Sequence, residues 1–139
     1  MGRNSGFDCE GWVRNEDRLN NDYYRQLLSS GTVDPNWNQD LQNNAAFPEF
    51  PNQFLWERDN ICMLNADMAL VIDLDGAIDA TSGEVSCNLE GAGVVCPPSS
   101  LLGQTIAYAN NNQLWLLDYR DAFTKMTNRG CGAGVCTAL

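Results

Sequence analysis

The side chains of this chain with the means to do chemistry are carboxylates and cysteines, because it contains no histidine. Without an imidazole, neither a Ser-His-Asp set nor a Cys-His pair can be built from it, and no Gly-rich phosphate loop precedes a helix. Asp73, Asp75, Asp79 and Glu84 crowd one Asp- and Gly-rich stretch, and oxygen ligands of this kind suit calcium. The helix–loop–helix calcium pattern needs Gly at its sixth position, and counting from Asp73 that position is Ile78. A solvated acidic loop is therefore the plainer expectation.

The six cysteines of the 139-residue chain are many for a reducing compartment. Cys87 and Cys96 bracket a Gly- and Val-containing loop, Cys131 and Cys136 close a Gly-rich tail, and Cys9 and Cys62 stand far apart. An even count with two short-range pairs reads as disulfides, Cys87–Cys96 and Cys131–Cys136. A zinc site is the poorer reading, since there is no Cys-x-x-Cys knuckle and no His. Oxidising surroundings follow.

Aromatic residues form the third group. Trp37, Phe47, Phe50, Phe54 and Trp56 are spread through a stretch punctuated by Pro35, Pro48 and Pro51. They either anchor that stretch to the core or make a docking patch for another protein.

The elements that must position these groups read as helices joined by long loops. Leu19, Tyr23 and Leu27 recur every four residues and predict a helix over about 18–30, capped by Asp17 or Asn20 and ended by Gly31. Residues 32–53 read as loop, and Leu64, Met68 and Ile72 predict a short helix over about 66–72. A second irregular stretch, 75–98, carries the Cys87–Cys96 pair. After Pro97-Pro98, Ser99 or Ser100 is placed to cap a helix of about ten residues with Leu102, Ile106 and Ala109 inward. A last helix spans about 112–127, with Trp115, Tyr119, Phe123 and Met126 as its apolar stripe; Gly130 stops it, and 130–139 is a Cys-bearing tail. The expectation is one all-α domain over 1–139, large enough to bury about two-thirds of its surface.

A formal net charge of −10 argues against nucleic acid and against direct binding to anionic lipid. No apolar run reaches the roughly 20 residues of a membrane span. Met1-Gly2-Arg3-Asn4-Ser5 does not read as a secretory signal, so the expectation is a chain already processed or never targeted by its own N-terminus.

Several segments in register resemble the proximal, C-terminal half of the class I haem peroxidases. They are Asn4-Ser5-Gly6-Phe7-Asp8 followed by Trp12, Asn20-Asn21-Asp22-Tyr23-Tyr24 with Leu27-Leu28, and Met63-Leu64-Asn65-Ala66-Asp67-Met68-Ala69-Leu70. Tyr108-Ala109-Asn110 and the run from Asp118 to Met126 resemble the family's closing helices.

The resemblance implies a proximal haem pocket in which Asp67 would accept a hydrogen bond from a ligand His, with Trp12, Met63 and Leu64 beside it. The proximal His of the family would precede the Asn-Ser-Gly run, and this chain has none. The resemblance then implies a vestigial pocket in which the Trp12 indole N–H bonds Asp67; the plainer alternative is a core Trp12 and a helix-capping Asp67. It also implies a Cys9–Cys62 disulfide, because the segments around them pack together in the family. The cation site of ascorbate peroxidases would fall at Val13 and Asn20, neither of which is the family's ligand type there.

Two functions follow from the resemblance. The first is a non-catalytic, structural or interaction subunit with no cofactor of its own and other protein subunits as partners. A larger organellar membrane complex of photosynthesis or respiration would suit it, in the thylakoid lumen first, with the mitochondrial intermembrane space or secretion as alternatives. The second is the C-terminal chain of a two-chain haem peroxidase, with haem b ligated by another polypeptide. A secreted disulfide-stapled binding protein stands behind both.

Overall fold

The computed structural model describes Val13, residues 17–42 and residues 53–129. The described residues form four helices and five strands rather than helices alone. In chain order these are α1 (Asp22–Leu27), β1 (Leu28–Ser29), β2 (Thr32–Val33), β3 (Asn38–Gln42), β4 (Gln53–Arg58), β5 (Ile61–Met63), α2 (Asn65–Met68), α3 (Leu102–Asn110) and α4 (Asn112–Thr127). The all-α expectation is thereby corrected to a mixed architecture with two small antiparallel sheets.

The correction has local causes. The helical pattern expected over 18–30 is cut short because Leu28 turns to extended backbone at φ −116° and ψ 147°. Ser30 and Gly31 then take φ 53° and 82°, the left-handed pair that closes a two-residue hairpin between β1 and β2. Residues expected to be loop supply β2, β3 and the first residue of β4. Phe54, Leu55, Trp56 and Ile61 are aromatic or large apolar residues that favour a pleated, half-buried surface. Asp59 and Asn60, at φ 49° and 70°, supply the turn that pairs β4 with β5. Asx residues tolerate this region better than most, which is why the hairpin closes without a glycine.

The β4–β5 hairpin works on both faces. Trp56 pairs across from Met63, and both side chains enter the main core with Leu27, Trp37, Ile61, Met68, Val71, Ile72 and Leu74. Leu55 and Cys62 form a small buried cluster on the opposite face. β3 lies beside β4 at the sheet edge, with Gln39 paired to Trp56 in register. The Gln39 amide then imitates a further strand: its Nε2 donates to the Val85 carbonyl and its Oε1 accepts from the Val85 N–H, each at 2.7 Å.

The long segment from Ile72 to Pro98 has no regular element, yet it is pinned. Isolated bridges join Ile72 to Pro98, Ile78 to Val85 and Asn88 to Val95. Val85, Cys87 and Cys96 are buried in the core cluster.

The two later helices follow the sequence expectation closely. α3 begins as the serine-rich turn after Pro98 comes against the end of α2. Ser99 Oγ donates to the Ala69 carbonyl at 2.7 Å and Thr105 Oγ1 to the Leu70 carbonyl at 3.0 Å, satisfying carbonyls that a helix end leaves open. Ser99 does not cap through the helix N-terminus as expected; Leu101 holds that position. Leu102, Ile106 and Ala109, expected inward, are half-buried. Asn111 caps α4, its side chain accepting from the Leu114 N–H at 3.0 Å. None of the residues of α4 is fully buried.

Asn21 closes the structure across the chain. Its buried amide donates to the Tyr108 and Ala109 carbonyls at 2.8 and 2.9 Å, and its backbone N–H donates to Asn112 Oδ1 at 2.9 Å. These bonds tie the start of α1 to the end of α3 and the start of α4.

Candidate functional site

Of the residues that the resemblance assigns to a pocket, Met63, Leu64 and Asp67 lie at the start of α2 and just before it. Leu64 precedes the helix in extended backbone, so its N–H is left without an intrahelical acceptor, and Asp67 Oδ2 accepts it at 2.7 Å. The other carboxylate oxygen, Oδ1, accepts from the Tyr23 hydroxyl at 2.6 Å. Asp67 is thus the cap of its own helix and the anchor of α1 at once. Burial first, and the adjacent Asp67 carboxylate second, push the Tyr23 hydroxyl far above its ordinary ionisation range. Met63 is fully buried next to this node, whereas Leu64 is exposed.

The neighbouring Asn65 makes a second polar node. Its Oδ1 accepts from the Trp56 indole N–H at 2.8 Å and its Nδ2 donates to the Gly83 carbonyl at 2.7 Å. Trp56 can therefore be almost wholly buried, at 2% exposure, without stranding its one donor. Trp12, Phe47, Phe50, Cys9, Cys131 and Cys136 lie outside the described residues, and with them the Trp12–Asp67 bond and the Cys9–Cys62 and Cys131–Cys136 pairs.

Cys87 and Cys96 form the expected disulfide, with Cα atoms 5.0 Å apart. Asn88 continues the staple, its N–H donating to the Val94 carbonyl and its carbonyl accepting from the Cys96 N–H, each at 2.8 Å. Cys62 is also disulfide-bonded, and no described cysteine is free.

The acidic stretch is organised around its own backbone. Asp79 Oδ1 accepts from the Ser82 N–H, the Ser82 hydroxyl and the Thr81 N–H, at 2.7, 3.0 and 2.9 Å. These bonds, the Ser82 backbone first, hold its carboxyl below the ordinary aspartate range. Asp73 Oδ1 accepts from the Asp75 N–H at 3.0 Å. Among the described residues no three His, Cys, Asp or Glu side chains are placed to hold a metal ion, so Asp73, Asp75, Asp79 and Glu84 are not brought together as a calcium set.

Of the aromatic group, Trp37 and Trp56 are each 2% exposed and serve as core anchors rather than as surface, while Phe54 is half-buried. Trp37 belongs to a cluster that sequence reasoning missed. Arg58 stacks on its ring, pairs with Asp34 and donates to Gln26 Oε1 at 2.8 Å. The signal was present: Arg58 is the only basic residue between Arg25 and Arg120, set in an aromatic strand. Beside it opens a polar cleft of about 700 Å³ lined by carboxylates and amides, among them Asp34, Asn38, Asp40 and Glu57. Tyr23 and Asn21 were missed as well, because a hydrogen bond 44 or 87 residues away leaves no local pattern.

No family model matches the chain, and no curated protein and no solved structure is similar to it. No described helix is long and apolar enough to cross a membrane.

Proposed function

We propose that this chain is a non-catalytic structural or interaction module, related to the proximal half of a class I haem peroxidase and working in an oxidising compartment. The observation that carries the reading is the state of Asp67. The carboxylate that the resemblance assigns to a haem-ligating His instead spends one oxygen on the Tyr23 hydroxyl and the other on the Leu64 N–H. The chain offers no imidazole for either role. A carboxylate so committed fastens α1 to α2, a structural task.

The disulfides support the compartment. Cys87–Cys96 staples a segment of 26 residues, Asp73 to Pro98, that has no regular element and is otherwise held by isolated bridges and by bonds from Gln39 and Asn65. Such staples persist where thiols are oxidised. A thylakoid lumen is the compartment we favour, with the module seated on a larger membrane complex of organellar origin; acidity and disulfide stapling suit a soluble face there.

The test is a haem titration of the purified, oxidised chain, followed at the Soret band and by peroxide-dependent dye oxidation. The expected result is the spectrum of free haemin throughout and no turnover above that of haemin alone. A saturable Soret band from haem ligated by an atom of this chain would overturn the proposal. So would a Soret band in a native two-chain assembly that disappears when the partner is removed, which is the signature of the two-chain peroxidase.

A further inference from the structure

α4 leaves an aromatic face with nothing of the described chain upon it. Tyr24 packs edge-on against Trp115 at 6.2 Å, Trp115 against Tyr119 at 5.4 Å, and Tyr119 stacks on Phe123 at 5.9 Å. This ladder leaves the body at Trp115 and runs out along the helix. Tyr119 is 39% exposed, Phe123 48% and Met126 64%. A contiguous apolar face of that kind on a short helix marks an association surface.

The spacing says what fits it. Trp115, Tyr119, Ala122 and Met126 follow one another at intervals of four, three and four residues, the alternation of core positions in a two-stranded coiled coil. Phe123 and Leu116 widen the seam on one side. On the other side lie Asp118 and Lys125, one heptad apart and therefore at the same flanking position. Equivalent flanking positions face each other only when the two helices run antiparallel. In that arrangement Asp118 of one copy opposes Lys125 of the other, twice by symmetry, while Tyr119 falls against Ala122 and Trp115 against Met126. A parallel pair would instead set Asp118 towards Phe123. Tyr108 Oη, donating to Asp118 Oδ2 at 2.9 Å, already holds the carboxylate on that flank.

The charge along the end of α4 suits a like partner meeting there. The chain carries a net charge of −10, yet Arg120, Lys125 and Arg129 outnumber Asp118 and Asp121 from residue 118 to 129. Two acidic copies can meet along this stretch without opposing net negative charge. At physiological ionic strength, repulsion between the acidic bodies is screened beyond about 8 Å, which leaves the contact pairs to decide.

We infer that α4 is a self-association surface on which two copies of this chain pair antiparallel through Tyr119, Ala122 and Met126, with Asp118 facing Lys125 of the second copy. The inference stands apart from the haem question, and the haem titration above does not bear on it.

The experiment is sedimentation velocity of the full oxidised chain across the micromolar range. Wild type is expected to shift from monomer to dimer with rising concentration. Tyr119→Glu should abolish the shift while leaving the circular dichroism unchanged, because no residue of α4 is fully buried. Asp118→Lys and Lys125→Asp should each weaken the dimer at least tenfold. Mixing these two variants, or combining both changes in one chain, should restore it, since the opposed charges are again complementary. A monomer at every concentration, a dimer indifferent to Tyr119→Glu, or single charge variants that are not rescued on mixing would each overturn the inference.

Discussion

The guanidinium of Arg58 lies 4.6 Å from the centre of the Trp37 ring while the same group pairs with Asp34. One side chain thus joins the end of β4 to the turn after β2 and covers the outer face of a core indole. Arg58 and Asp34 are nearly buried, at 12% and 13% side-chain exposure, and Asp34 Oδ1 also accepts from the Asn36 N–H and Nδ2 at 2.9 and 2.8 Å. A cation on an aromatic face and a guanidinium fork shared between a carboxylate and an amide are both arginine chemistry.

Arg58→Ala should accordingly cost about 1–3 kcal/mol, because it removes the guanidinium from Asp34 and from the Trp37 face while the Asn36 donors to Asp34 remain. Arg58→Lys should cost less but measurably, since a lysine keeps the charge and loses the fork. Urea unfolding followed by tryptophan fluorescence checks both. Equal stability for Arg58→Ala and wild type would remove this cluster from the account.

Tyr23→Phe removes the donor to Asp67 and leaves a part-buried carboxylate oxygen unmatched, a loss of about 1–3 kcal/mol. The Asp67→Asn change combined with it in a double-mutant cycle should show a coupling well above zero.

Alkaline titration gives the same bond a second readout. The folded-state pKa of Tyr23 is raised above its ordinary value of 10.0, so its contribution to stability is complete below that pH and is lost as pH rises further. Absorbance at alkaline pH should show Tyr23 ionising last, together with unfolding. Tyr108 is raised too, chiefly by its bond to Asp118, and Asp118→Asn should return it towards normal.

Asp79 should behave in the opposite sense. Its folded pKa lies below 3.8, so its turn is stabilised above that pH and loosens as pH falls through the lowered value. Amide exchange at Thr81 and Ser82 should accelerate there, and Asp79→Ala should make it fast at every pH.

Replacing Cys87 and Cys96 together with Ala should lower stability by about 2–3 kcal/mol, the loop-closure value for a bridge spanning nine residues. Thermal melts of that variant isolate this staple, which a reductant cannot do because Cys62 is bridged as well.

Much of the helical part was legible in the sequence. The four-residue recurrence from Trp115 to Phe123 and the proline pair before Ser99 placed α4 and α3, because both signals are local. The strands were hidden for an equally physical reason. Residues 53–63 bury side chains on both faces, Trp56 and Met63 on one and Leu55 and Cys62 on the other, so the alternation that marks a strand never appears. The site was half legible. Asp67 could be singled out, but Tyr23 as its partner could not, since the pairing depends on how α1 lies against α2. Of the two roles open to Trp37 and Trp56 the structure gives core anchoring, and the sequence could not choose because Arg58, which covers Trp37, and Asn65, which accepts from Trp56, give no local pattern.

The clamp made by Asn21 also has a bearing on the order in which the molecule assembles. The β4–β5 hairpin joins residues only a few positions apart and can close in microseconds. Asn21 must find the Tyr108 carbonyl 87 residues along, a search whose entropic cost grows with the length of chain between them. The hairpin is therefore available early, whereas docking of α1 on the later helices carries the larger loop-closure cost. Shortening the segment between Gly76 and Val94 would change that cost little, since each doubling of a loop adds only about 0.6 kcal/mol, and would put Val85 and Cys87 of the core at risk.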